Sequence, residues 1–120
     1  MSEEFEAKIT PMRYMEYQGL GSVYVGADLA LQDIFATRTN EGFEGNGYDW
    51  TSLAQVFLAE KYPDLERYFG FDPEADTFAI HVLPGYPEAN EALKKFALAF
   101  RAAWEDRELM LDLLSRAELD

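Results

Sequence analysis

Asp72, Glu74 and Asp76 stand at alternate positions around Pro73, the one-three-five carboxylate spacing with which a calcium loop begins. Three such side chains could converge on one hard cation. The rest of that loop is missing, because Thr77 occupies the position of the sharp-turn glycine and Leu83 that of the closing bidentate glutamate. The triplet therefore reads as a hairpin turn whose carboxylates cap local amides or face water. His81 is the single histidine, too few for a His-based metal set, and on a strand it is a rim or structural residue. There is no cysteine, hence no thiolate nucleophile, thiolate metal ligand or disulfide. G-x-S-x-G, P-loop and G-x-G-x-x-G motifs are absent. With 23 acidic residues, carboxylate pairs of the kind a glycosidase uses arise too easily to carry information. The reading is a protein without catalytic residues, metal or cofactor.

Where the acids lie says more than that they exist. The chain carries 23 acidic against 10 basic residues, a formal charge of −13. Residues 41–76 hold nine of the acids (Glu41, Glu44, Asp49, Glu60, Asp64, Glu66, Asp72, Glu74 and Asp76) against Lys61 and Arg67, a local balance of −7. Such a surface repels nucleic acid and anionic membranes and attracts basic partners. Loops concentrate the charge, and loops on a rigid scaffold are where binding surfaces lie. The candidate contacts for a protein partner are accordingly Glu41, Glu44, Asn46, Asp49, Asp72, Glu74 and Asp76. The absence of cysteine fits a reducing compartment. The acidic opening Met1-Ser2-Glu3-Glu4-Phe5-Glu6 is no secretory signal, and no run is long and apolar enough to span a bilayer. The expected location is the cytoplasm.

Positioning those loops requires a core, and 48 % hydrophobic residues with 15 % aromatics spread along 120 residues supply one. A single domain over residues 1–120 is expected. Met12 to Tyr17 and Ser22 to Val25, separated by Gly19 and Gly21, predict a first hairpin. Asp28 is placed to cap a short helix through Leu31, Ile34 and Phe35 that ends near Arg38. Glu41 to Gly47, rich in glycine, is a loop. Asp49 then offers an N-cap to a helix whose apolar stripe is Trp50, Leu53, Ala54, Phe57 and Leu58. Arg67 to Phe71 and Thr77 to Leu83 predict a second hairpin, with Phe78, Ile80 and Val82 on its core face. Leu93, Phe96, Ala97, Phe100 and Trp104 mark a long amphipathic helix, and Leu109 to Ala117 a separate final one after Glu105-Asp106. The fold class is α+β, an antiparallel sheet of about four strands from two hairpins packed against helices.

Gly45-Asn46-Gly47-Tyr48-Asp49-Trp50, the helix with Leu53 and Ala54 behind it, and then Phe71-Asp72-Pro73-Glu74-Ala75 with the trailing Phe78 form an ordered pair of motifs. In these the chain resembles the bacterial immunity protein 51 family over about residues 12 to 105. Where the family pattern continues Glu-Ala with Gly-Met-Phe, this chain has Asp76-Thr77-Phe78. The resemblance implies a small α+β protein encoded beside a polymorphic toxin, whose partner is the cognate toxin, and it brings no catalytic residues with it. Trp50 and Phe71 are expected in the core. An acidic surface suits a toxin made basic for gripping nucleic acid, so a nuclease is the first expectation. The alternatives are a small cation-dependent hydrolase acting through its acidic residues, or an acidic adaptor.

Overall fold

A computed structural model describes residues 2–118. Its frame is a four-stranded antiparallel sheet in the order β1-β2-β4-β3. β1 (Arg13–Tyr17) and β2 (Leu20–Gly26) form the first hairpin. Its two-residue turn puts Gln18 and Gly19 at φ of 54° and 81°, the left-handed pair whose twist matches the strands. β3 (Phe69–Phe71) and β4 (Thr77–Val82) form the second hairpin, and β4 pairs with β2 to join the two.

Strand alternation decides which face is covered. Val23 and Val25 of β2 and Phe78, Ile80 and Val82 of β4 are buried, because α3 (Gly47–Lys61) and α4 (Ala89–Ala103) pack against that side. The opposite residues (Leu20, Ser22 and Tyr24 of β2, Ala79 and His81 of β4) are half-buried or exposed. The helical layer centres on Trp50, whose ring lies between 5.3 and 6.4 Å from those of Phe35, Phe78, Phe100 and Trp104. Its indole N–H donates to the Ala27 carbonyl at 3.1 Å, so the buried polar atom is satisfied. α5 (Arg107–Ser115) closes the end of the layer with Met110, Leu113 and Leu114, and the Asp106 carboxylate accepts from Leu109 N–H at its start.

Fold class, both hairpins, the core face of β4 and the separate final helix agree with the sequence reading. Phe71 is half-buried against the core. Four points differ. The opening is a helix, α1 (Ser2–Ile9), which buries Phe5 and Ile9; two apolar residues among acids gave it too weak a period to read. Arg67 does not begin a strand, since a 3-10 turn begins at Pro63, whose ring presets its φ, and runs through Tyr68. Asp28 caps nothing. It lies within the 3-10 turn Ala27–Leu29, and α2 (Gln32–Ala36) starts from Leu31 at φ 63° without a side-chain cap. That helix ends at Ala36, and a further 3-10 turn covers Thr39–Glu41. Asp49 is likewise not the N-cap of α3, a position held by Asn46.

Candidate functional site

The N-terminus of α3 is built by an exchange of side-chain and backbone bonds. Asn46 is extended, at φ −87° and ψ 178°, and its side-chain Oδ1 accepts from Asp49 N–H at 2.9 Å. The Asp49 carboxylate turns back and accepts from Glu44 N–H at 2.6 Å and Gly45 N–H at 2.8 Å. The arrangement is a capping box whose returning side chain reaches further upstream than usual. Charge-assisted bonds of this kind are worth roughly twice neutral ones, which offsets burying Asp49 to 4 % exposure. Gly45 sits at φ 76°, where a Cβ would be strained.

The loop so shaped is tied to two others. Gln32 Nε2 donates to the carbonyls of Ala27 and Gly45. Gly47 N–H donates to Ala75 O at 3.2 Å and Ala27 N–H to Asp76 O at 2.8 Å. Glu74 and Thr77 bond each other's backbone across the second turn. Gly47 is obligatory for this contact, because a Cβ there would stand 2.0 Å from Glu74 O and 2.2 Å from Thr77 O. The Gly-Asn-Gly-Tyr-Asp-Trp and Phe-Asp-Pro-Glu-Ala segments, 20 or more positions apart in sequence, are thus packed backbone to backbone.

Between them runs an open groove of about 500 Å³, lined by residues 26–28, 44–46 and 75–77. Asp28, Glu44 and Asp76 bring carboxylates to it, and no lysine or arginine lines it. Among the described residues none of these three, nor Glu74, makes an ion pair. Asp76 accepts the Thr77 hydroxyl at 3.1 Å. Asp72, at the β3 edge, lies 3.0 Å from His81 Nδ1. Among the described residues no three carboxylates or histidines converge as a metal cage would require, the Asp72, Glu74 and Asp76 triplet included. What the groove offers is unpaired acceptors and negative potential.

The seven candidate contacts therefore divide. Glu44 and Asp76 are exposed in the groove lining, while Asp72 and Glu74 are exposed outside it. Asn46 is half-buried and Asp49 buried, and both side chains are engaged in shaping the loop. Glu41 stands apart, bonded at 2.8 Å to Arg38, whose guanidinium holds its carboxyl below the usual carboxylate range. Arg38 also donates to the Leu114 and Ala117 carbonyls and so fastens the end of α5. Sequence reasoning missed Asp28 as a groove residue, having spent it on a helix cap. The strand parity of β2, carried past Gly26, is the signal that would have placed it outward.

The family model described as Immunity protein 51 matches residues 14–119. No curated protein and no solved structure matches the chain. The matched span includes both motif segments, β1 from Tyr14 onward, β2 to β4 and helices α2 to α5. No helix among the described residues is long and apolar enough to cross a membrane.

Proposed function

Since the chain belongs to the immunity protein 51 family, we propose that it binds the toxin encoded beside its gene and neutralises it by covering that toxin's active or substrate-binding surface, in the cytoplasm and without chemistry of its own. The observation that carries this reading is the groove between the two motif loops, where Asp28, Glu44 and Asp76 are gathered without a counter-charge. Exposed carboxylates held close together repel one another and contribute nothing to folding. A cationic surface docked on them relieves that repulsion, steers encounter and fixes register. A nuclease surface, made basic to grip phosphates, has the required sign.

Co-expression tests the proposal. The polypeptide encoded beside the gene is produced in a sensitive host with and without this chain, and the two are then purified together. Restored growth and a stoichiometric complex lacking nuclease activity are the expected results. Growth arrest unchanged by the chain, with no complex, would overturn the assignment. A complex whose toxin never cleaves nucleic acid, alone or bound, would overturn the nuclease part alone.

A further inference from the structure

The sheet has one uncovered face, and none of the strand residues on it is acidic. Arg13, Met15 and Tyr17 of β1 stand beside Tyr24, Ser22 and Leu20 of β2, and the row continues through Ala79 and His81 of β4 to Gly70 of β3. Helices α3 and α4 pack on β2 and β4 from the side of the buried residues. Tyr17 is 71 % exposed and Met15 48 %, with Leu20 and Tyr24 more than a third exposed. Four of the large apolar side chains that the molecule leaves in water thus sit together on one hairpin. Tyrosine and methionine are the types enriched at the centres of protein interfaces, where charged residues are depleted.

The same face runs into the acidic groove. Gly26 and Thr77, register partners at the end of β2 and the start of β4, belong to the uncovered side and also line the groove. Asp72 borders the face at the opposite edge from β1, beside His81. Arg13, the permanent cation among the strand residues of this face, lies at the β1 edge 3.8 Å from Glu6. The arrangement is an apolar, aromatic patch with carboxylates along one end and one side, which is the anatomy of a docking surface with a charged rim.

We propose that this sheet face, centred on Met15, Tyr17, Leu20 and Tyr24, is the apolar heart of the contact with a basic protein partner, and that Glu44, Asp72 and Asp76 are its rim. The proposal rests on the reading above that the partner is the toxin, and it moves the binding energy from the loops to the hairpin. Charge decides between a cationic partner and a second copy: two copies of this chain meeting through the face would bring together two molecules of net charge −13 and two acidic rims, whereas a cationic partner satisfies the patch and the rim at once.

The test uses the full chain and the polypeptide encoded beside its gene, with affinity and dissociation rate measured for the parent, Tyr17→Ser, Met15→Ser with Tyr17→Ser, and Leu98→Ser. Leu98 is exposed on α4, away from the sheet face, and serves as the control. The expected result is a loss of at least about 30-fold for the double variant, read mainly as faster dissociation, with the control unchanged. Melting curves and native mass of each free variant accompany the titrations. If the parent binds and the double variant, folded like the parent, binds equally well, the sheet-face proposal is overturned while the function stands. If the parent is dimeric and Tyr17→Ser makes it monomeric without weakening the toxin complex, the face is a self-interface and the proposal is overturned. If the parent does not bind, both readings fall together.

Discussion

Two regions of this molecule carry clustered carboxylates, and they are treated in opposite ways. At the far end of α5, Arg116 bonds Glu60 and Asp112 through paired nitrogens, and Arg38 bonds Glu41. The pairing holds all three carboxyls below the ordinary range and raises the guanidinium of Arg116 further. In the groove Asp28, Glu44 and Asp76 are gathered by backbone bonds between loops, with no arginine or lysine beside them. Charge in the first region is part of the architecture. In the second it is held in place by the architecture and left available. The same residue type therefore cannot be read for role without its partners.

The largest effects should come from the scaffold that both regions share. Trp50→Ala removes the ring at the centre of four aromatic neighbours and the bond to Ala27 O, and should destabilise by about 3 to 5 kcal/mol. Chemical denaturation measures it. A variant that unfolds like the parent would mean the core is organised around another residue. Gly47→Ala comes next. Its new Cβ must displace the Glu74 and Thr77 carbonyls, at about 1 to 3 kcal/mol for overpacking. It should separate the two motif loops and so weaken partner binding more than its loss of stability explains. Equal binding after the melting loss is allowed for would show that the groove does not depend on that contact.

Much of this architecture was legible. The helical stripes of Trp50 and Phe100 and the alternation of β4 are strong periods made by large residues, and the structure follows them. The site was legible in part. Composition located the acidic loops, but which carboxylates are free depends on contacts between segments distant in sequence. Asp49 reads as a helix N-cap and a candidate contact, whereas its carboxylate is taken by the Glu44 and Gly45 amides and the cap is Asn46. Asp28 reads as a cap until α2 starts from Leu31 instead. Glu41 reads as part of the same cluster, yet Arg38 takes it to the C-terminal helix. Alternation in β4 marks which of its faces is buried, but that the opposite face of the sheet stays uncovered follows from where the helices go.

Smaller effects sharpen the contrast. The carboxylates of Glu41, Glu60 and Asp112 have folded-state pKa values lowered by their arginines. Their contribution is full above the unfolded carboxylate range, about pH 4, and is lost as pH falls through the lower folded values. Arg116→Ala should lower the melting temperature slightly at pH 7 and reduce its fall below about pH 4. An acid transition identical to the parent's would show that this network is not linked to folding. Glu44→Gln with Asp76→Asn should leave stability within about 0.5 kcal/mol of the parent, as exposed substitutions do, or raise it by relieving repulsion.

The central claim is that unpaired carboxylates in the groove, and not the protein's total charge, recruit the toxin. Glu44→Gln with Asp76→Asn and Glu60→Gln with Asp112→Asn change the net charge equally, the first pair in the groove and the second around Arg116. The measurement is the association rate constant with the polypeptide encoded beside the gene, across a series of salt concentrations, for parent and both variants. The groove variant should associate more slowly at low salt, with a shallower salt dependence, while the Arg116-side variant keeps the parent's rate. Equal slowing by both variants would mean that only net charge matters, and an unaltered rate in the groove variant would mean that the groove does not meet the toxin.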